Sequence, residues 1–231
     1  MKLEKVTSIH GRHYDDACGT ALGLEILGER WAMLVVRELM LGPRRFSDLR
    51  SSLTGLSANV LTQRLEGLEA AGVAVRRRLP PPASVQVYEL TPWGYEAETA
   101  ILALGRWAAR SPDHDPTLPL SPVSMMLSFK AMFDADKAGD ALVAVGFRFD
   151  ETTFRVCVAD GVLTVERRAP EGAGAVVEGT PEAVAAVIYG DAADARARAR
   201  ELLRIDGDIE TFLRFAAWFE LPPKAQRPAG R

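Results

Sequence analysis

The sequence predicts an α+β protein of two domains, and three observations predict it. Helical periodicity dominates the N-terminal part, which closes on one short hairpin. A proline-rich stretch, RSPDHDPTLPLSP at Arg110–Pro122, then runs without a hydrophobic period. Beyond it, runs of alternating apolar residues mark a sheet set among helices. We expect a first domain at 1–110, a linker at 111–122, a second domain at 123–222 and a frayed tail at 223–231.

The chain has 231 residues, 48% apolar and 26% charged, enough for two ordinary cores. Its longest apolar runs are about seven residues, as at Ala141–Phe147, far below the roughly 18 needed to span a bilayer. The opening Met-Lys-Leu-Glu-Lys carries no signal-peptide core, and two cysteines, Cys18 and Cys157, make no disulfide framework. These features predict a cytoplasmic protein with no membrane partner. Net charge is −3, but the average hides an asymmetry. Between Arg30 and Arg78, nine arginines face four acids (Glu38, Asp48, Glu66, Glu69), leaving +5 there and −8 elsewhere. A local basic patch in an acidic protein points to a polyanion.

Trp31, Leu34, Val35 and Leu39 recur at helical spacing, and Gly42-Pro43 stops that helix. A short element follows, with Phe46, Leu49 and Leu53 on one face. After Thr54-Gly55, Ser57 is a good N-cap for a helix ending near Gly72. Two short helices around a glycine turn make a helix–turn–helix. In its second helix, Leu61, Leu65 and Leu68 share the core face. The outward side carries Ser57, Ala58, Asn59, Thr62 and Gln63 rather than the usual Glu and Lys. Asn and Gln pair bidentately with adenine, and Ser and Thr donate or accept. An ordinary capped surface helix would also carry such residues.

The next segment separates these readings. Val73-Ala-Val75 leads into Arg76-Arg77-Arg78, a Pro80–Pro82 tip, and Val85–Leu90. A basic hairpin directly after a helix–turn–helix is a wing suited to phosphate or minor-groove contact. Thr91-Pro92 starts another helix, whose stripe of Trp93, Ala97, Ile101, Leu104 and Trp107 is a core face or a dimer seam.

Cys18-Gly-Thr-Ala, Leu27-Gly-Glu-Arg-Trp31, Leu41-Gly-Pro-Arg-Arg-Phe-Ser-Asp-Leu49, Gly55–Leu65, Leu68-Glu-Ala-Ala-Gly72 and Tyr88-Glu-Leu-Thr-Pro92 stand in one order. Together, from about Cys18 to Trp107, they resemble the HxlR family, bacterial winged-helix regulators related to MarR. The resemblance implies a homodimeric transcription factor with the helix from Ser57 in the major groove. Its DNA contacts are expected from Arg44, Arg45, Ser47, Arg50, Ser57, Ala58, Asn59, Thr62, Gln63, Arg64 and Arg76–Arg78. The tract Pro80-Pro81-Pro82-Ala83-Ser84 departs from the family pattern with a stiffer, less charged wing tip. In several relatives, a cysteine at the Cys18 position senses oxidants. That chemistry needs a lowered thiol pKa, from a helix start or from cations such as Arg12 and His13. A small buried residue at a helix start is the alternative.

Past the linker, Met125, Met126, Phe129, Met132 and Phe133 form a helical stripe. Extended runs follow at 141–149, 153–159, 162–168 and 175–178, with Asp160-Gly161 as a tight turn. Thr180-Pro181 caps a helix, and Leu203-Arg-Ile-Asp-Gly-Asp208 precedes a last aromatic one, with Asp208 as its N-cap. This order resembles the sterol-carrier-protein-like fold, which implies an apolar tunnel for a hydrophobic small molecule. Met125, Phe129, Phe133, Phe147, Phe215 and Trp218 are its candidate lining, and a packed core is the other reading of the same stripes.

His10 and His13 lack clustered ligands, and no nucleophile elbow or phosphate-binding glycine loop occurs. No catalytic residue, metal or cofactor is expected. The leading reading is a dimeric regulator whose DNA binding responds to a hydrophobic effector. An apolar-ligand carrier on a vestigial DNA-binding domain, and a regulator switched through Cys18, are the alternatives.

Overall fold

A computed structural model describes residues 14–227. The chain divides into two compact units, Met1–Glu98 and Thr99–Arg231. The division falls earlier than the boundary read near residue 110, and residues 106–114 bond within the second unit, as Arg106 does to the Ala131 carbonyl at 2.8 Å.

The first unit opens with α1 (Gly19–Leu27), α2 (Ala32–Leu39), α3 (Phe46–Ser52) and α4 (Ala58–Ala70). Trp31 enters α2 with a φ of 80°, left-handed backbone that is uncommon outside glycine. The expected caps form. Ser57 Oγ accepts from the Val60 amide at 3.3 Å, and Gly72 leaves α4 at a φ of 74°. Leu49, Leu61, Leu65 and Leu68 are buried with Val35, Val36 and Leu39, so the two helices of the motif share one core.

The hairpin follows as β1 (Ala74–Arg78) and β2 (Gln86–Leu90), antiparallel with Arg76 opposite Tyr88, Arg77 opposite Val87 and Arg78 opposite Gln86. Arg44 adds a third, one-residue rung. Its N–H donates to the Tyr88 carbonyl at 2.9 Å, and the Tyr88 N–H donates back at 2.8 Å. Thr91 Oγ1 accepts from the Gly94 amide at 3.0 Å and caps α5 (Pro92–Glu96). The sequence reads one helix from Pro92; the chain breaks it at Ala97 and restarts as α6 (Glu98–Ala108).

The second unit adds α7 (Pro122–Met132), α8 (Ala135–Ala138), β3 (Val143–Phe149), β4 (Thr152–Ala159), β5 (Val162–Glu166) and β6 (Ala175–Glu178). It ends with α9 (Pro181–Ile188), α10 (Ala195–Leu202), β7 (Arg204–Gly207) and α11 (Ile209–Ala216). The five-stranded sheet has the order β5-β4-β3-β6-β7, antiparallel except for the β3–β6 pair. Alternation puts Val143, Val145, Phe147 and Phe149 on the buried face, with Phe154, Val156 and Val158 of β4 beside them. Strand β7 is an addition to the sequence reading, which gives Leu203–Asp208 no strand. With only Ile205 apolar it carries no alternation, and its place comes from hydrogen bonding to β6. Asp208 does cap α11, accepting from the Glu210 and Thr211 amides at 3.1 and 3.0 Å. In the tail expected to fray, the Ala225 N–H donates to the Arg110 carbonyl at 2.7 Å.

Gly94 lets α5 approach Val73, just before β1, because a Cβ there would run into the Val73 carbonyl, whereas one at Gly23 in α1 would meet nothing within 4 Å. Gly94→Ala should therefore destabilise the protein by about 1–3 kcal/mol. Gly23→Ala should gain about 0.5–1 kcal/mol through helix propensity. Urea unfolding of the two variants, with opposite signs, is the check.

Candidate nucleic-acid interface

Helix α4 presents the side expected of it. Leu61, Leu65 and Leu68 face inward, and Ser57, Asn59, Thr62 and Gln63 are exposed; Ala58 is half-buried. Two of these groups are partly committed to the helix itself. Ser57 Oγ accepts from Val60, and the Thr62 hydroxyl donates to the Ala58 carbonyl at 3.0 Å. Both oxygens keep a lone pair for an outside donor. The exposed side chains of Asn59 and Gln63 carry the full donor–acceptor set.

The arginines sort into three kinds. Arg45, Arg50, Arg76 and Arg78 are exposed. Ser47, next to Arg45, is also exposed, and its hydroxyl donates to Asp48 Oδ1 at 3.2 Å. Arg64 and Arg77 are engaged by acids. Arg64 Nε donates to the Arg30 carbonyl at 3.0 Å, and its Nη2 lies 3.4 Å from Glu29. It thus pins the turn before α2 to the middle of α4. Arg77 forms a close ion pair with Glu89 that raises its already high pKa.

Arg44 is the third kind and corrects an expectation. Only 7% of it is exposed, and its Nη2 donates to the Ser52 hydroxyl at 3.0 Å and the Asp48 carbonyl at 3.3 Å. Its main chain is the rung beside β2, so its side chain is drawn under α3. It builds the interface and does not face out of it.

Cross-strand pairing explains the division within the wing. Arg77 shares a face with Val75, Val87 and Glu89; Arg76 and Arg78 share the other with Gln86 and Tyr88. Arg76, Arg77, Arg78, Ser84 and Gln86 border an open groove of about 320 Å³. The Arg78 Nε donates to the Ser84 carbonyl at 3.0 Å, which fixes the arginine along the Pro80–Pro82 tip. Arg30, which the sequence reading passes over as a contact, is also exposed, with its guanidinium 5.4 Å from the centroid of Trp31. Its sequence signal is the adjacent aromatic.

Cys18 sits at the N-cap of α1 with its thiol exposed. The Thr20 amide chiefly, then the Thr20 hydroxyl and the Ala21 amide, hold its pKa below the ordinary thiol value. The alternative, a small residue buried at a helix start, is not what the structure shows. Arg12 and His13, invoked as nearby cations, and His10 lie outside the described residues.

Of the six side chains named as a ligand lining in the second unit, four come together as rings: Phe129, Phe147, Phe215 and Trp218. Met125 and Phe129 lie on α7, Phe147 on β3 and Phe215 on α11, all four fully buried. The Phe129 ring centroid is 5.2 Å from Phe147 and 5.4 Å from Phe215, and Phe215 is 6.0 Å from Trp218. Each ring's neighbours are other rings, at distances that leave no room between them. Phe133 alone of the six borders open space, a cleft of about 430 Å³ shared with Met132, Asp134, Asp136 and Glu220. Among the described residues no cluster of His, Cys, Asp and Glu could hold a metal, and no helix is long and apolar enough to cross a membrane.

Comparison with known proteins divides the chain in the same sense. Residues 26–115 match the HxlR-like helix-turn-helix family, and residues 115–225 match the alkyl sulfatase C-terminal family. The latter stands where the sequence reading has a sterol-carrier-like domain. The chain is 37% identical over 86 residues to the HTH-type transcriptional regulator YvaP of Bacillus subtilis, covering 37% of this chain and 79% of that one. It is 33% identical over 97 residues to YtfH of Escherichia coli, an HTH-type transcriptional regulator, covering 42% and 77%. A solved structure of the transcriptional regulator YodB from B. subtilis, in reduced form, is similar at 27% identity and a TM-score of 0.39, covering 43% of this chain and all of that one.

In a Cys157→Ser background, the alkylation rate of Cys18 by iodoacetamide should rise with pH around a midpoint below about 8.5, the unperturbed thiol value. Thr20→Val, which removes the hydroxyl donor, should move that midpoint upward. A pH–rate profile for each variant reads both values.

Proposed function

Because the chain belongs to the HxlR-like helix-turn-helix family and is a DNA-binding transcriptional regulator, we propose that its first unit reads double-stranded operator DNA as a two-fold dimer. Helix α4 enters the major groove with Asn59 and Gln63 at base edges and Ser57, Ala58 and Thr62 beside them. Arg45, Ser47 and Arg50 of the α3 segment, and Arg76 and Arg78 of the wing, contact phosphates. One observation carries this reading: the outward side of α4 is polar yet free of charge over its first two turns, and exposed arginines lie on the elements before and after it. Exposed Leu22 and Leu24 on α1, and Leu104 and Trp107 on α6, support a homodimer. The protein has no catalytic step of its own and acts in the cytoplasm.

A hydrophobic small molecule in the second unit is the proposed effector. The cleft beside Phe133 is where it gains access, since the other named side chains fill their own core. A second reading, regulation through thiol oxidation, is favoured by the exposed Cys18 and the amides that lower its pKa.

Fluorescence anisotropy on a duplex from the gene's upstream region, with a scrambled duplex alongside, tests the main reading between about 50 and about 200 mM salt. Binding should be selective and fall steeply with salt. The double change Arg76→Ala with Arg78→Ala should reduce the log–log salt slope by about 2, roughly 0.9 per phosphate released. Arg77→Ala should reduce it less, because Glu89 already neutralises that guanidinium. Gln63→Ala should narrow the preference between duplexes by about 1–3 kcal/mol. Equal, weak binding of both duplexes at low salt, or an unchanged slope in the double variant, overturns the assignment.

A further inference from the structure

We propose that residues 222–227 form a strap latched onto the end of α6 by Lys224, and that protonation of His114 opens the latch. The strap and the segment it holds both belong to the second unit.

A helix ends with carbonyls that have no intrahelical donor, and a cation is favoured there. At the end of α6 that cation comes from more than a hundred positions away in the chain. The Lys224 ammonium donates to the carbonyls of Ala109 at 3.1 Å, Ser111 at 3.0 Å and His114 at 3.1 Å. Its three N–H groups thereby find three oxygens. Around this centre lie three further ties. Ala225 N–H donates to the Arg110 carbonyl at 2.7 Å, Arg110 Nε donates to the Pro223 carbonyl at 3.3 Å, and Arg227 pairs with Asp113. Main-chain and side-chain bonds run in both directions between the two segments.

The fourth neighbour of Lys224 makes the latch titratable. Nδ1 of His114 lies 3.3 Å from the ammonium. An ammonium has only hydrogens to offer, and its three already point to carbonyls, so Nδ1 stands at this distance as the unprotonated nitrogen of a neutral imidazole that shares one of them. Protonation would turn that contact into two cations at the same distance and would take one acceptor from the cage. The charges facing His114 are Lys224 and Asp115, with the Arg227–Asp113 pair and Arg110 close by in the strap contacts. Burial and Lys224 disfavour the imidazolium and Asp115 favours it; the first two win, and the His114 pKa is lowered. A group with a depressed folded pKa binds more protons once released. The latch is therefore shut above about pH 6.5, the free imidazole value, and weakens as pH falls below it.

Hydrogen exchange at the Ala225 amide, corrected for the intrinsic effect of pH, tests this in the full chain, and the Val145 amide in the sheet core reports global folding. Wild type should lose Ala225 protection, by up to about thirtyfold, between about pH 7.5 and about pH 5 with Val145 unchanged. Lys224→Met, which keeps the side-chain stem, should show that loss already at the higher pH. His114→Gln, an uncharged acceptor, should hold the strap at both. Wild-type protection of Ala225 in Lys224→Met overturns the latch, and a pH-dependent loss that survives in His114→Gln overturns the trigger.

Discussion

Two reciprocal main-chain hydrogen bonds, between Arg44 and Tyr88, set the geometry on which the proposed reading surface depends. They join the turn after α2 to the inner strand of the wing, so the start of α3 and the hairpin are parts of one small sheet. A guanidinium in the interior is costly unless its donors are met. Arg44 meets this demand in part: its Nη2 bonds to the Asp48 carbonyl and the Ser52 hydroxyl along α3, which ties the first helix of the motif to the same junction, while its Nε stays buried without a partner. The other fixed point is Arg64, which holds the Glu29–Arg30 turn against α4. Positioning is thus done by arginines, and arginines are also the proposed contacts. The residue type alone does not tell the two jobs apart.

This is why the site was legible in outline and not in detail. Periodicity and caps locate α4, and Ser57, Thr91, Thr180 and Asp208 all cap as their spacing implies, because capping depends on residues only three apart. The division of Arg76 and Arg78 from Arg77 also follows from strand alternation. What periodicity cannot carry is the partner of a side chain. Glu89 neutralises Arg77 from the opposite strand, and Ser52 draws Arg44 inward from eight positions on. Strand β7 was missed for the same reason, since its place comes from β6 rather than from its own pattern.

The second unit shows the complementary case. Its stripes of Met and Phe read equally as the lining of a tunnel or as a packed core. The interlocked rings of Phe129, Phe147 and Phe215 choose the core for the residues at its centre. Aromatic pairs at such distances add about 0.5–1.5 kcal/mol each beyond burial, which favours keeping them in contact. Phe133, at the end of α7, is the exception that stays at an opening.

The division of the chain within α6 bears on how it can be taken apart. The proline-rich stretch after residue 110 is the obvious place to cut, and a fragment ending there would contain the whole of α6. It would lack Lys224, whose ammonium binds the carbonyls of Ala109 and Ser111 in the segment just past the helix. That fragment would carry α6 without this tie, and with it Leu104 and Trp107, which are exposed in the full chain as well. A fragment ending at Glu98 would follow the packing of the molecule but would leave Leu104 and Trp107 on the other piece. A dissection of this protein into independently behaving parts cannot keep both the helix and its closure without keeping the C-terminal segment as well.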